Sequence, residues 1–369
     1  MNSFRRYLCS ARSMMSLLLL LVLNLSPMAP NNVVVDAWTT HPSSSVMLRA
    51  RRTTARSSTR GSMAVSASAS TMTTTTTSPL QASSTVELSY TEWTTATTPT
   101  DPPVVFLHGL LGNKKNFASL ARSLALQLKT QRRIFGLDMR NHGDSAAADH
   151  LHVTDMSYAS MAADVVAFLD KLELDQVVLV GHSMGGKIAQ AVALRYPHRV
   201  HGLVVLDMAP VSYDEQADST WSTVCSIVRQ LDAVVSDDAV QTKKQVDLAL
   251  RTTIPDPALR AFCLTNWHDA AGRWKIPMDV IKQQLPTLAA FEIDDTINGH
   301  NNHQEQFLYT GDAFFIHGGQ SRFVRHAHLP AIRQYFPNHM LTTIRGSGHW
   351  VHAEAPENTL SLLLQFLDR

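Results

Sequence analysis

From Val86 to the end of the chain, short β-branched apolar runs alternate with longer stretches whose apolar positions recur at helical spacing. The runs Val86–Trp93, Val104–Leu107, Ile134–Asp138, Val177–Val180, Gly202–Asp207, Ala313–His317 and Met340–Arg345 predict strands. Between them, Phe117–Leu128, Tyr158–Leu172, Gly186–Tyr196 and Leu329–Tyr335 predict helices, and Pro356–Leu367 closes the chain with another. Strand, helix, strand in repetition is the pattern of an α/β fold, a mostly parallel sheet covered by helices on both faces. The rhythm breaks once. From about Val211 to Asp312 strand patterns are scarce, and amphipathic stretches such as Ser222–Leu231 and Lys244–Arg251 prevail. That is far longer than the loops of compact domains, so a helical insertion is expected at about 211–312.

The first 85 residues follow another pattern. Arg5, Arg6 and Arg12 come before the apolar run Leu17–Leu25, the charged-then-apolar order of a signal peptide. This run is too short to span a bilayer. From Ala37 to Val86 there is no Asp or Glu, Ser, Thr and Ala dominate, and Arg49, Arg51, Arg52, Arg56 and Arg60 carry the charge. A segment of that composition cannot bury a core. With Asp36-Ala37-Trp38 at its junction, the pair of segments resembles the bipartite plastid presequences of algae with secondary plastids. The resemblance implies cleavage before Trp38 and a plastid location, with a mitochondrial import signal as the alternative and a disordered low-complexity tail as the plainest reading. The expected organisation is therefore a presequence over 1–85 and a folded domain over 86–369.

Charge sharpens the division. Of 32 basic residues eight lie in the first 85 positions, against one of 31 acidic residues, so residues 86–369 hold 24 basic and 30 acidic side chains, a net charge of −6. No Lys/Arg-rich stripe occurs there, which argues against nucleic acid as a partner. The three cysteines, Cys9, Cys225 and Cys263, allow neither a disulfide framework nor a CxxC motif. With 44% hydrophobic residues, the chain has the material to hold a domain together by its core.

The chemistry gathers at three places. The run Val177–Val180 leads straight into Gly181-His182-Ser183-Met184-Gly185-Gly186, a G-x-S-x-G sequence between a strand and a helix. Such a turn is tight enough to require glycine on both sides, and it lifts Ser183 out at the top of the sheet as a nucleophile. The helix start behind it supplies free N–H groups for developing negative charge. The second place is His108-Gly109-Leu110-Leu111-Gly112, after Val104–Leu107. Amides of Leu110 and Met184 are the expected oxyanion hole, the plain alternative for this loop being an ordinary glycine turn. The third is Gly346-Ser347-Gly348-His349-Trp350, after the last strand. Among 17 histidines, His349 is the candidate general base because two glycines free its loop at the right sheet edge. His182 is anchored inside the elbow, and His142 is expected to stabilise a loop.

The orienting acid is harder to place. No Asp or Glu occurs between Gly318 and Trp350, and Asp312 precedes its strand at the wrong edge. Asp207 ends the strand after the nucleophile helix, and parallel neighbours bring their C-terminal ends to one edge. Asp207 is therefore the expected acid, with a turn-capping role as its plain alternative and Asp279 in the insertion as the rival. No HExxH occurs, and the pairs His326/His328 and His349/His352 lack a third ligand, so neither metal nor organic cofactor is expected.

Taken in order, Leu107-His108-Gly109-Leu110-Leu111-Gly112, Asp138-x-Arg140-Asn141-His142-Gly143-x-Ser145, Gly181-His182-Ser183-Met184-Gly185-Gly186-Lys187, Asp207-x-Ala209-Pro210-Val211 and Gly348-His349-Trp350-Val351-His352 resemble the alpha/beta-hydrolase esterases of the YbfF type. The organellar abhydrolase-domain-containing proteins resemble it too. The resemblance covers about residues 101–368, and the first 85 have no counterpart in the bacterial members. It implies carboxylesterase or thioesterase activity on a small-molecule acyl substrate, without cofactor. Some mitochondrial relatives carry an Asp at what looks like the Asp279 position. The competing class is a ligand- or partner-binding protein of the same fold without turnover. In the insertion, Trp221, Phe262, Trp267, Trp274 and Phe291 are expected either to roof an acyl pocket over Ser183 or to pack the insertion onto the sheet.

Overall fold

The structure, a computed structural model, describes residues 85–94, 99, 101–146, 153–235, 242–293 and 307–369. The presequence reading therefore lies outside the described residues, save for residue 85. Seven strands form one sheet in the order β1-β3-β2-β4-β5-β8-β9. These are β1 (Tyr90–Glu92), β2 (Val104–Leu107), β3 (Ile134–Leu137), β4 (Val177–His182), β5 (Val200–Leu206), β8 (Asp312–Gly318) and β9 (His339–Ile344). Only β1 is antiparallel to its neighbour. Two further short strands, β6 (Trp267–His268) and β7 (Arg273–Trp274), form a separate hairpin.

The inner strands β2 and β3 carry no polar residue, and β4 and β5 carry one each, because both faces are covered. Val105, Leu107, Val177 and Leu179 point into one core layer, beneath the helices Tyr158–Lys171 and Met184–Arg195. Their neighbours Val104, Phe106, Val178 and Val180 point into the other, beneath Ala118–Gln127 and Pro356–Leu367. The two-residue strand period thus divides one apolar run between two cores.

Between β5 and β8 the described residues form the helices Ser219–Val235, Lys243–Leu250, Pro257–Cys263, Met278–Gln283 and Leu285–Ala289. This insertion is tied to the helices Tyr158–Lys171 and Met184–Arg195. Lys187 Nζ donates to the carbonyls of Ala289 (2.7 Å) and Ala290 (2.9 Å), and Tyr158 Oη donates to Leu288 O at 2.8 Å. Among the described residues no helix is long and apolar enough to cross a membrane.

Candidate active site

Sheet register decides which loops meet. Leu107 pairs with Gly181, His182 with Leu206, and Gly318 with Ile344. The chain therefore leaves β2, β4, β5, β8 and β9 at one edge, and the segments carrying Leu110, Ser183, Asp207 and His349 all begin there.

Ser183 caps the helix Met184–Arg195 with φ 53° and ψ −118°, a strained conformation that costs on the order of 1–3 kcal/mol and must be held from outside. Its neighbours hold it. A Cβ on Gly181 would stand 2.2 Å from Gly185 O, and one on Gly185 would stand 2.2 Å from Leu107 O. The helix can start this close to β2 only because both are glycine. A Cβ on Gly109 would lie 3.1 Å from Ser183 Cβ, so the His108–Gly112 loop passes directly beside the serine.

Asp207 follows β5, is fully buried and has φ 53°. Its Oδ1 accepts the Gly318 N–H at 3.0 Å, while Oδ2 accepts from the Ser321 hydroxyl and from His349 Nδ1, the latter at 2.7 Å. With the Nδ1 proton engaged, His349 keeps Nε2 as its basic nitrogen. The imidazole lies between Phe323, at a ring-centroid distance of 4.1 Å, and His182 at 4.7 Å. His182 Nε2 donates to His349 O at 2.9 Å. Burial, then the neighbouring His352 and His349, hold the His182 pKa well below its ordinary value, so this ring is a neutral strut. Asp279 sits in the first turn of Met278–Gln283 with an exposed side chain, and the carboxylate against His349 belongs to Asp207.

The loop carrying Leu110 is braced by two further neutral imidazoles. His142 Nε2 accepts the Leu111 N–H at 3.1 Å while its Nδ1 donates to Arg140 O. Desolvation, reinforced by His108, lowers the His142 pKa to about 3. His108 Nε2 accepts the Met139 N–H at 3.0 Å and its Nδ1 donates to Gly109 O. The remainder of the Asp138–Ser145 motif is also framework. Arg140 forms a two-pronged pair with Asp164 at 2.6 and 2.8 Å, and Asp138 receives Lys114 Nζ at 2.5 Å.

Ser183, His349, Leu110 and Met184 border one cavity of about 570 Å³. Insertion residues Trp221, Val224, Ile227, Val228, Leu259 and Phe262 form much of its wall, and no Asp or Glu among the described residues lines it. The five aromatics of the insertion divide. Trp221 and Phe262 face the cavity, whereas Trp267 and Trp274 meet edge-on at 5.0 Å across the β6–β7 hairpin and Phe291 packs on Tyr158 and Tyr335. Sequence reasoning placed Trp350 in the His349 motif without a role and missed Ser321 and Phe323 at this site. Their positions depend on the loops after β8 and β9, which carry no periodic signal.

Comparison with known proteins agrees with this architecture. The alpha/beta hydrolase fold family matches residues 102–356. A mouse protein named as the sn-1-specific diacylglycerol lipase ABHD11 is 36% identical over 271 residues, covering 72% of this chain and 81% of that protein. Esterase YbfF of Escherichia coli is 32% identical, covering 72% of this chain and 93% of its own. Among solved structures, a marine microorganism esterase superposes with a TM-score of 0.65 at 31% identity, over 77% of this chain and all of that one. The chain belongs to the alpha/beta hydrolase fold family.

Proposed function

We propose that this protein is a serine hydrolase that cleaves acyl esters or thioesters through an acyl-enzyme on Ser183. The observation that carries the reading is the 2.7 Å contact from His349 Nδ1 to the buried Asp207 carboxylate, at the edge of the cavity that Ser183 enters. In this mechanism His349 Nε2 takes the Ser183 hydroxyl proton as Oγ attacks the acyl carbonyl. Asp207 holds the imidazole in the tautomer that leaves Nε2 free and stabilises the imidazolium that follows. The Leu110 and Met184 amides receive the oxyanion, His349 returns its proton to the leaving group, and a water activated by the same ring releases the acid.

The apolar wall supplied by the insertion favours the acyl chain as the recognised part of the substrate. The esterase and lipase names of the relatives support the ester class, and the mouse relative's name makes a glyceride ester one member of a sensible test panel.

Ser183→Ala should lower ester hydrolysis by several orders of magnitude and abolish labelling by a fluorophosphonate, with Tm unchanged because the half-buried serine contributes little packing. Substantial hydrolysis by a contaminant-free Ser183→Ala protein would overturn the assignment. A wild-type protein that binds esters without turnover would move it to the binding class.

A further inference from the structure

The turn from Gly109 to Gly112 is closed by the Gly112 N–H donating to Gly109 O at 2.9 Å. Its third residue, Leu111, has φ 62°. A turn with positive φ at that position ordinarily uses glycine, because a Cβ there crowds the backbone. Leucine is held in this conformation by both of its backbone polar groups. Its N–H goes to His142 Nε2 at 3.1 Å, and its carbonyl accepts from Asn266 Nδ2 at 2.7 Å. Leu111 and Asn266 are both buried, so water cannot readily replace either bond.

Asn266 comes from the insertion, 155 residues further along the chain. Its side-chain orientation is unambiguous, since only the NH2 end can face a carbonyl. Its backbone is fixed as well. The Asn266 carbonyl accepts the Lys275 N–H at 2.7 Å, beside the β6–β7 hairpin whose Trp274 indole donates to Leu231 O at 2.8 Å. A rigid arm therefore reaches from the insertion to the residue after Leu110.

We propose that Asn266 is a positioning residue that holds the Gly109–Gly112 turn so that the Leu110 amide faces the oxyanion. This makes the insertion part of the catalytic apparatus as well as a pocket wall, and it rests on the reading of Ser183 as nucleophile. Without the Asn266 bond, Leu111 can relax toward negative φ, and the Gly112 to Gly109 closure of the turn shifts with it, carrying along the Gly109–Leu110 peptide that holds the Leu110 N–H. An amide turned away by a fraction of an ångström still lets substrate bind in the apolar cavity but stabilises the tetrahedral intermediate less. The loss belongs to kcat.

The test uses the full chain, with p-nitrophenyl butyrate as substrate and an alkyl trifluoromethyl ketone as a tetrahedral adduct former. Asn266→Ala should lower kcat by about 10- to 100-fold, less than or comparable to loss of an oxyanion donor itself, with KM within about twofold. The ketone's inhibition constant should rise by the same factor as kcat/KM falls. Asn266→Ser, which keeps a donor on a shorter arm, should recover part of both, and it carries the comparison with wild type should the alanine variant not fold. Wild-type kcat in folded Asn266→Ala, or in Asn266→Ser should the alanine variant not fold, overturns the proposal, as does a raised KM with kcat and ketone affinity intact. Ser183→Ala, run alongside, separates the failures: if it is inactive while Asn266 variants are normal, only the positioning role falls.

Discussion

Asp207 accepts three hydrogen bonds while fully buried, and only one of the donors, His349 Nδ1, belongs to a group that changes charge during the proposed reaction. The Gly318 and Ser321 donors hold the carboxylate still, so its second oxygen has one direction in which to act. Asp207→Asn preserves size but turns an amide toward one of these partners and lets His349 adopt the wrong tautomer. Its kcat/KM for an acyl ester should fall by about four orders of magnitude with the fold retained. Asp279→Asn, on an exposed helix turn, should stay within about twofold of wild type, and the reverse pattern would move the acid into the insertion. At this scale the legible residues were those with constrained neighbours. Glycines around Ser183 and His349 announced tight turns, and the acid-free stretch from Gly318 to Trp350 left Asp207 to be considered. His182 was legible as a residue anchored in the elbow, but Ser321 gave no such signal, because a strut is defined by the atom it touches across the fold rather than by its own surroundings in the chain.

The secondary elements were legible where burial on two faces writes an unbroken apolar run, as in β2, β4 and β5, and less so at the sheet edge. The segment Val86–Trp93 reads as one strand, yet only Tyr90–Glu92 pairs with β3. Upstream, the Val86 N–H donates to Asp164 Oδ1 and the Ser89 N–H to Ser145 Oγ. Side chains there replace a strand partner, and periodicity cannot distinguish the two. The insertion was legible as helical, but its two-residue strands were too short to leave a pattern. Its aromatics look alike in sequence and differ in what they face, which gives a test at the level of the element. Trp221→Ala and Phe262→Ala should shift the kcat/KM optimum along an ester series toward longer or bulkier acyl chains by opening the cavity wall. Trp267→Ala and Trp274→Ala should leave that optimum in place and lower stability by about 3–5 kcal/mol, since each buried indole packs against the other. Four variants that alter only Tm would assign all of these aromatics to packing.

Across the whole molecule, the histidines that brace the site share one electrostatic condition. Burial lowers the pKa of His108, His142, His182 and His352, to about 3 for His142 and His352, and His317, His328 and His339 shift in the same direction. His142 must stay neutral to accept the Leu111 N–H, as must His108 to accept that of Met139. Well above about pH 6.5 both folded and unfolded chains carry these rings uncharged, and stability does not depend on their protonation. Below it the unfolded chain binds protons that the folded chain refuses, so stability falls with falling pH until each folded pKa is reached. Each fully buried ring contributes about 1.4 kcal/mol per pH unit to that slope. Carboxylates paired in the fold, such as Glu92 and Asp144, have lowered pKa values and begin to matter only nearer their ordinary range of about 4. Asp164, whose pKa burial raises despite its Arg140 partner, takes up its proton more readily in the folded chain and opposes this slope, so the several histidines set the sign of the change in the window from pH 6.5 to 5. Tm should be level from pH 8 to 7 and fall steeply through this window. In His352→Gln the slope should be shallower by up to one proton, whatever the change in Tm itself, because a buried titrating ring has been replaced by a neutral amide. A wild-type Tm that stays flat from pH 7 to 5 would mean that these rings take up protons in the folded state, and the neutral brace around Leu111 would then have to be abandoned.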